Sequence, residues 1–222
     1  MRVGAGVLTR NAITHDRQQL TQRALTSLAE ADTVVLVDNG SDDGSADRAA
    51  THRAQLHRPA DGNTTCGRGM NVLADLLVDD VDVMVLTSAD MYWRPGWRHV
   101  GETFWTHADP QVAILCGLLE PHYPWSPPTG TYSAGGVHGI TRTCVPGSGW
   151  TLRSSDWPTI GPVPEMPGED DVPTCARLHA AGRLLVAVDI ADHIAEHAST
   201  WGNQSHRFAR PLDLDGVTLT KV

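Results

Sequence analysis

The hexapeptide Thr33-Val34-Val35-Leu36-Val37-Asp38 constrains this chain more than any other stretch of it. It is continuous, mostly β-branched and without polar alternation, the pattern of a strand buried on both faces. Such a strand needs helices on either side of its sheet, and the neighbouring sequence offers them. Residues 2–9 form a second short apolar run, and residues 15–31 place Leu20, Ala24 and Leu28 on one helical stripe. Turn residues fill 39–44 and a helix is expected over 45–56. Further helices are expected over 67–78 and 94–107, with strands over 81–87 and 111–119. This alternation predicts an α/β domain with a mainly parallel sheet. Residues 120–167, rich in Pro, Gly, Trp and Ser, read as a long irregular segment whose Trp125, Trp150 and Trp157 argue against disorder. A helix over 170–181 follows, with Pro173 in its first turn and Gly182 as its cap, then a strand over 184–188. From Trp201 onward the sequence is polar and poorly patterned.

The chain has 222 residues, which suits one domain. Its formal net charge of −9 argues against a nucleic-acid-binding role, which needs a basic patch. No apolar run approaches the ~20 residues of a membrane span, and the apolar stretch near Met1 is too short for a secretory signal. Cys66, Cys116, Cys144 and Cys175 are widely spaced and form no CxxC pair, which argues against a zinc ribbon and fits reduced thiols in a cytoplasmic protein.

Ligands of parallel α/β sheets bind at the carboxyl ends of the strands. Three polar clusters fall at such ends: Thr9-Arg10-Asn11, Asp38-Asn39-Gly40-Ser41 and Ser88-Ala89-Asp90. Gly4-Ala5-Gly6 invites a dinucleotide-binding reading. It fails, because the third glycine of that pattern would fall at Thr9 and these glycines lie within the strand.

The run Asp38-Asn39-Gly40-Ser41-Asp42-Asp43-Gly44-Ser45 resembles the Asp-Asn-x-Ser-x-Asp-Gly-Ser signature of family 2 glycosyltransferases, and the rest of the chain follows that family's order. Val7 to Asn11 resembles the end of the family's first strand, and Asn63 to Asn71 its Asn-x-Gly-x-x-x-Ala-Arg-Asn region, with Arg68 at the arginine. Val85 to Asp90 stands where the family has Asp-x-Asp; Ser88 replaces the first aspartate, leaving Asp90. Trp93-Arg94-Pro95-Gly96-Trp97 matches the Pro-Gly-Trp that follows. Residues 159–165 resemble the family's Ile-Gly-Gly-Phe-Asp-Glu segment, and Gly168-Glu169-Asp170-Asp171 its Glu-Asp motif opening a helix. Counting back from Arg177 puts the catalytic base at Asp171 with Asp170 before it, whereas counting from Glu169 shifts both by one position and puts it at Asp170; the first register is preferred.

The resemblance implies the GT-A fold, a Rossmann-like three-layer sandwich with a mainly parallel central sheet. It implies one domain over 1–222: a nucleotide-sugar-binding half over 1–119, an acceptor and catalytic half over 120–200, and a tail over 201–222. It implies an inverting, metal-assisted transfer of a sugar from a nucleoside-diphosphate sugar to an acceptor hydroxyl. Thr9, Arg10, Asn11, Asp38, Asn39, Arg68 and Ser88 would hold the donor. Asp90, and His197 rather than His193, would hold Mn²⁺ or Mg²⁺. An Asp38 carboxylate accepting from a ring N–H points to UDP-, dTDP- or GDP-sugars. A short chain also leaves room for a partner or a second copy in acceptor recognition. Two other readings stand beside this one. A non-catalytic nucleotide- or glycan-binding module is favoured by the loss of the first metal aspartate at Ser88. A sugar nucleotidyltransferase is disfavoured because Asn11 to His15 contains no glycine-rich phosphate loop.

Overall fold

The computed structural model describes residues 1–12, 14, 18–49, 54–60, 62, 65–117, 126–166, 171–188, 194–197, 213–214 and 217–218. The first half alternates as expected: β1 (Val3–Thr9), α1 (Gln18–Ser27), β2 (Thr33–Asp38), α2 (Ser45–Ala49), β3 (Gln55–His57), α3 (Cys66–Leu77) and β4 (Val83–Ser88). Next come β5 (Met91–Trp93), α4 (Trp97–His107), β6 (Val112–Cys116), β7 (Pro128–Ala134), β8 (Val137–Arg142) and β9 (Gly149–Arg153). The chain continues through α5 (Trp157–Ile160), α6 (Asp171–Ala180), β10 (Leu184–Val188) and β11 (Ala195–His197), and a minimal hairpin joins β12 (Asp213–Leu214) to β13 (Val217–Thr218).

One nine-stranded sheet carries the fold, in the order β3-β2-β1-β4-β9-β6-β10-β8-β7. The strands β3, β2, β1 and β4 are parallel; β9 enters antiparallel between β4 and β6, β10 is parallel to β6, and the β8–β7 hairpin closes the far edge. Only β9 and β8 run against the common direction, so the sheet is mainly parallel.

Helices cover both faces. Gly4 and Gly6 face α3, where an added Cβ at Gly6 would lie 2.8 Å from Leu73 Cδ2 and one at Gly4 would lie 2.9 Å from Leu77 Cδ2. The two glycines therefore serve close helix–strand packing, not a phosphate loop. On the opposite face, Trp105 of α4 donates its indole N–H to Thr151 Oγ1 of β9 at 2.9 Å. Successive residues of a strand point to opposite faces, and Thr151 pairs with Val85 while Gly4 and Gly6 pair with Met84 and Leu86. Among the described residues no helix is long and apolar enough to cross a membrane. None of the four cysteines forms a disulfide among the described residues.

The structure corrects three expectations. The helix expected over 45–56 is α2 alone among the described residues, and Gln55–His57 instead pairs with Val35–Val37 as an edge strand. The helix expected from residue 94 starts at Trp97. Met91–Trp93 is spent on pairing with β11, and the Pro95-Gly96 turn carries φ +85° at Gly96. Residues 120–167 are not irregular throughout, because β7, β8 and β9 all lie in that span and β9 sits mid-sheet with Trp150 fully buried. Gly182 does cap α6, at φ +72°, with its N–H donating to His179 O.

Candidate functional site

The carboxyl ends of the first four parallel strands meet along one edge. Register places Thr9 beside Asp38, Leu8 beside Ser88 and Val37 beside His57. The ladder continues past the strand ends, with Asn39 N–H donating to Thr9 O at 2.9 Å and Ala89 N–H to Leu8 O at 3.0 Å. The three polar clusters therefore share an edge, in the sheet order β2, β1, β4.

The loops after β1 and β2 are tied together. Asn11, at φ 45°, donates its N–H to Ser41 Oγ (2.9 Å) and accepts from Asp42 N–H at Oδ1 (3.0 Å). Left-handed backbone is tolerated by Asn, which explains this residue type at the strand exit. Asp43 accepts from the N–H groups of Ser45 (2.9 Å) and Thr14 (2.8 Å). Burial opposes its ionisation, but the bonds from Ser45 and Thr14 outweigh that and hold its carboxyl well below the usual range.

Asp38 is 2% exposed and both its oxygens are engaged. Oδ1 accepts from Ser41 N–H at 2.9 Å, and Oδ2 accepts from Arg58 Nε at 3.2 Å. Arg58 also pairs through Nη2 with Asp47 Oδ1 at 2.7 Å. The buried Asn39 donates its amide to Thr65 O at 3.3 Å, linking the edge to α3. Thr65 caps that helix, accepting Arg68 N–H at 3.2 Å. The Arg68 guanidinium donates to Glu165 Oε1 at 3.4 Å. Asn71 exchanges two hydrogen bonds with the Val163 backbone, at 3.0 and 2.8 Å, and so fixes residues 161–166 against α3. Arg10 is exposed. Thr9 is 4% exposed and its Oγ1 has no hydrogen-bond partner among the described residues. An orphaned buried hydroxyl on a ligand-binding edge is a feature that a bound group would satisfy.

Asp90 is buried, and Ser88 Oγ donates to its Oδ1 at 2.5 Å. Asp171 opens α6, and its Oδ2 accepts from Gly147 N–H at 2.9 Å. The next residue, Ser148, accepts from Thr87 Oγ1 at 2.7 Å through its carbonyl. Asp171 is thereby anchored to the end of β4, where Ser88 and Asp90 lie. The backbone of His197 pairs with Met91, one residue from Asp90, which brings the end of β11 to the same place. Asp170 and His193 lie outside the described residues.

Sequence reasoning missed Arg58 and the Glu165 partner of Arg68. Arg58 had no motif around it, and its position became meaningful only with β3 as a strand beside β2. Glu165 closed a recognised segment, but its pairing spans 97 residues of sequence.

Among the described residues no three His, Cys, Asp or Glu side chains are grouped to cage a metal ion. Asp90 and Ser88 supply hard oxygen donors, the type that Mg²⁺ and Mn²⁺ prefer. They fit such an ion only as a partial set completed by ligand phosphate oxygens and water. Two clefts of about 830 and 630 Å³ lie elsewhere, one beneath the opposite sheet edge at Met1, Asp82 and Arg153, the other along α1 and β5. Neither is lined by any of the predicted site residues, and the edge has the more specific chemistry.

No protein-family pattern matches the chain, and no curated protein does. Solved structures do match it. The mannosyltransferase PcManGT from Pyrobaculum calidifontis, in complex with GDP-Man and Mn²⁺, is 18% identical with a TM-score of 0.66, over 92% of this chain and 59% of its own. S. aureus TarS 1-349, in complex with UDP-GlcNAc, is 16% identical with a TM-score of 0.60, over 90% and 61%. A nucleotidyl transferase from Methanothermobacter thermautotroptrophicus is 14% identical with a TM-score of 0.54, over 84% and 86%. The fold is therefore the GT-A fold expected from the sequence. The chain spans about three-fifths of the length of the first two of these structures.

Proposed function

We propose that the chain is a family 2 type glycosyltransferase, moving a sugar from a nucleoside-diphosphate donor to an acceptor hydroxyl with inversion. The observation that carries this reading is the meeting of the Asp38, Asp90 and Asp171 regions along one sheet edge. The donor lies across that edge, its base and ribose towards Asp38 and Thr9 and its diphosphate towards Ser88 and Asp90. Asn11 and Asn39 shape the loops that hold it, Arg10 and Arg68 lie near enough in sequence and fold to face its phosphates, and His197 joins Asp90. Mn²⁺ or Mg²⁺ at Asp90, with the donor's phosphate oxygens, would offset charge on the departing diphosphate. GDP-Man with Mn²⁺ and UDP-GlcNAc in the two similar glycosyltransferases support a donor and cation of this class.

Asp171 is the base. The Gly147 N–H orients its carboxylate, and the start of α6 favours negative charge there. The acceptor oxygen attacks the anomeric carbon, the bond to the diphosphate breaks, the proton passes to Asp171, and the nucleoside diphosphate departs. Asp170 stands beside it as the second acid of the motif.

The test is donor turnover. The purified chain is supplied with GDP-, UDP- and dTDP-sugars and Mn²⁺ or Mg²⁺, and release of nucleoside diphosphate is measured. Release from one donor class supports the reading; release from none, with no binding, overturns it. The likeness to a nucleotidyl transferase favours a second reading, formation of a nucleotide sugar. Pyrophosphate release from a nucleoside triphosphate and a sugar 1-phosphate would select that alternative.

A further inference from the structure

We infer that Arg58 reads the nucleotide base and selects guanine; this rests on the donor site proposed above. An arginine has five N–H donors in a fixed planar fork. Here Nε–H is given to Asp38 and one Nη2–H to Asp47, at 3.2 and 2.7 Å. Both contacts use the side edge of the guanidinium. The end edge, made by Nη1 and the other Nη2 hydrogen, has no partner among the described residues, and the side chain is 49% exposed. Asp38 and Asp47 therefore hold the fork in one orientation before any ligand arrives, so little further side-chain entropy is lost on binding.

The position is that of a base reader. Arg58 directly follows β3, whose His57 pairs with Val37, so it stands at the β3 end of the edge next to Asp38. Beyond Asp38 comes Thr9 with its orphaned hydroxyl, and beyond that Ser88 and Asp90. A donor whose diphosphate lies at Asp90 extends its base towards Arg58. Asp38 itself is 2% exposed with both oxygens engaged, which makes it the positioning residue for the guanidinium.

An end-on guanidinium fork needs two adjacent acceptors. Guanine offers them at O6 and N7, and cytosine at O2 and N3; adenine places an amino group beside N7, and uracil and thymine carry a ring N–H beside each carbonyl. Among the GDP-, UDP- and dTDP-sugars proposed as donors the matched base is guanine, and the donor class is a GDP-sugar.

Titration calorimetry of the full chain with GDP, CDP, UDP, dTDP and ADP, in Mn²⁺, tests this. Wild type is expected to bind GDP at least about tenfold tighter than UDP. Arg58→Lys keeps a positive charge beside Asp38 and Asp47 but removes the planar fork. It should weaken GDP on the order of 5- to 150-fold, the span of one bidentate base contact, and UDP only a few-fold. Asp47→Ala, at a partner whose side chain is 68% exposed, removes the acceptor and frees the fork without uncovering a buried charge, and should shrink the GDP-to-UDP ratio as well. Thermal melts confirm that each variant is folded. A wild-type preference for UDP or CDP, or an unchanged ratio in either folded variant, would overturn the assignment while leaving the transferase reading intact. Binding of no nucleoside diphosphate would remove both.

Discussion

Asp171 sits at the first position of a ten-residue helix, with one carboxylate oxygen held by the Gly147 N–H at 2.9 Å. Its amide counterpart keeps the size and an acceptor oxygen but not the basicity. Asp171→Asn should therefore lower transfer by about 10²–10⁴-fold, the usual worth of a general base, while nucleotide affinity stays within a few-fold. Steady-state rates beside titration calorimetry check both halves of that statement, and full activity in the variant would take Asp171 out of the chemistry. The same residue shows what was legible at this scale. Asp38, Asp90 and Asp171 stand out as candidates because each ends or follows a strand or opens a helix inside a patterned stretch. Arg58 does not, since its meaning comes from Asp38 and Asp47, 20 and 11 positions earlier in the chain.

At the scale of elements, the closest packing in the first half is α3 on β1. A Cβ on Gly6 would meet Leu73 Cδ2 at 2.8 Å and Leu73 Cβ at 3.1 Å, so more than a flexible tip has to yield. Gly6→Ala should destabilise the fold by about 1–3 kcal/mol, the cost of overpacking a filled core. Denaturant melts measure this, and Leu73→Ala in the same chain should return part of the loss if the clash is the cause; an additive second loss would refute that cause. The strands β2, β4, β6 and β10 were legible because burial on both faces leaves continuous apolar runs. The hairpin β7–β8 was not. Its outer strand is exposed along nearly its whole length and begins with Pro128 and Gly130, so it shows no alternation. β9 lies in the Pro- and Gly-rich stretch, and β3 is three residues long. For both, pairing with distant strands supplied what local pattern lacked.

For the whole molecule, electrostatics sets the hardest condition on binding a diphosphate. Acidic residues outnumber Lys and Arg, 26 to 17, for a formal charge of −9. Along the edge, Arg58 is engaged by Asp38 and Asp47, and Arg68 by Glu165, so part of the local positive charge is already offset. On the proposed reading a polyanion entering there would gain from a divalent cation at Asp90. Nucleoside diphosphate with Mn²⁺ should thus raise the melting temperature, and a chelator should abolish most of that rise. Mn²⁺ alone should do little, because among the described residues no three metal-ligating side chains gather at Asp90. Ser88→Asp provides the reciprocal test. Two carboxylates where the Ser88 Oγ to Asp90 Oδ1 distance is 2.5 Å repel each other, so this variant should melt lower than wild type in chelator. It should gain more than wild type from Mn²⁺ alone, since the cation then relieves the repulsion and has two carboxylates to bind. Equal nucleotide-induced shifts with and without chelator, in both proteins, would exclude a cation from donor binding at this edge.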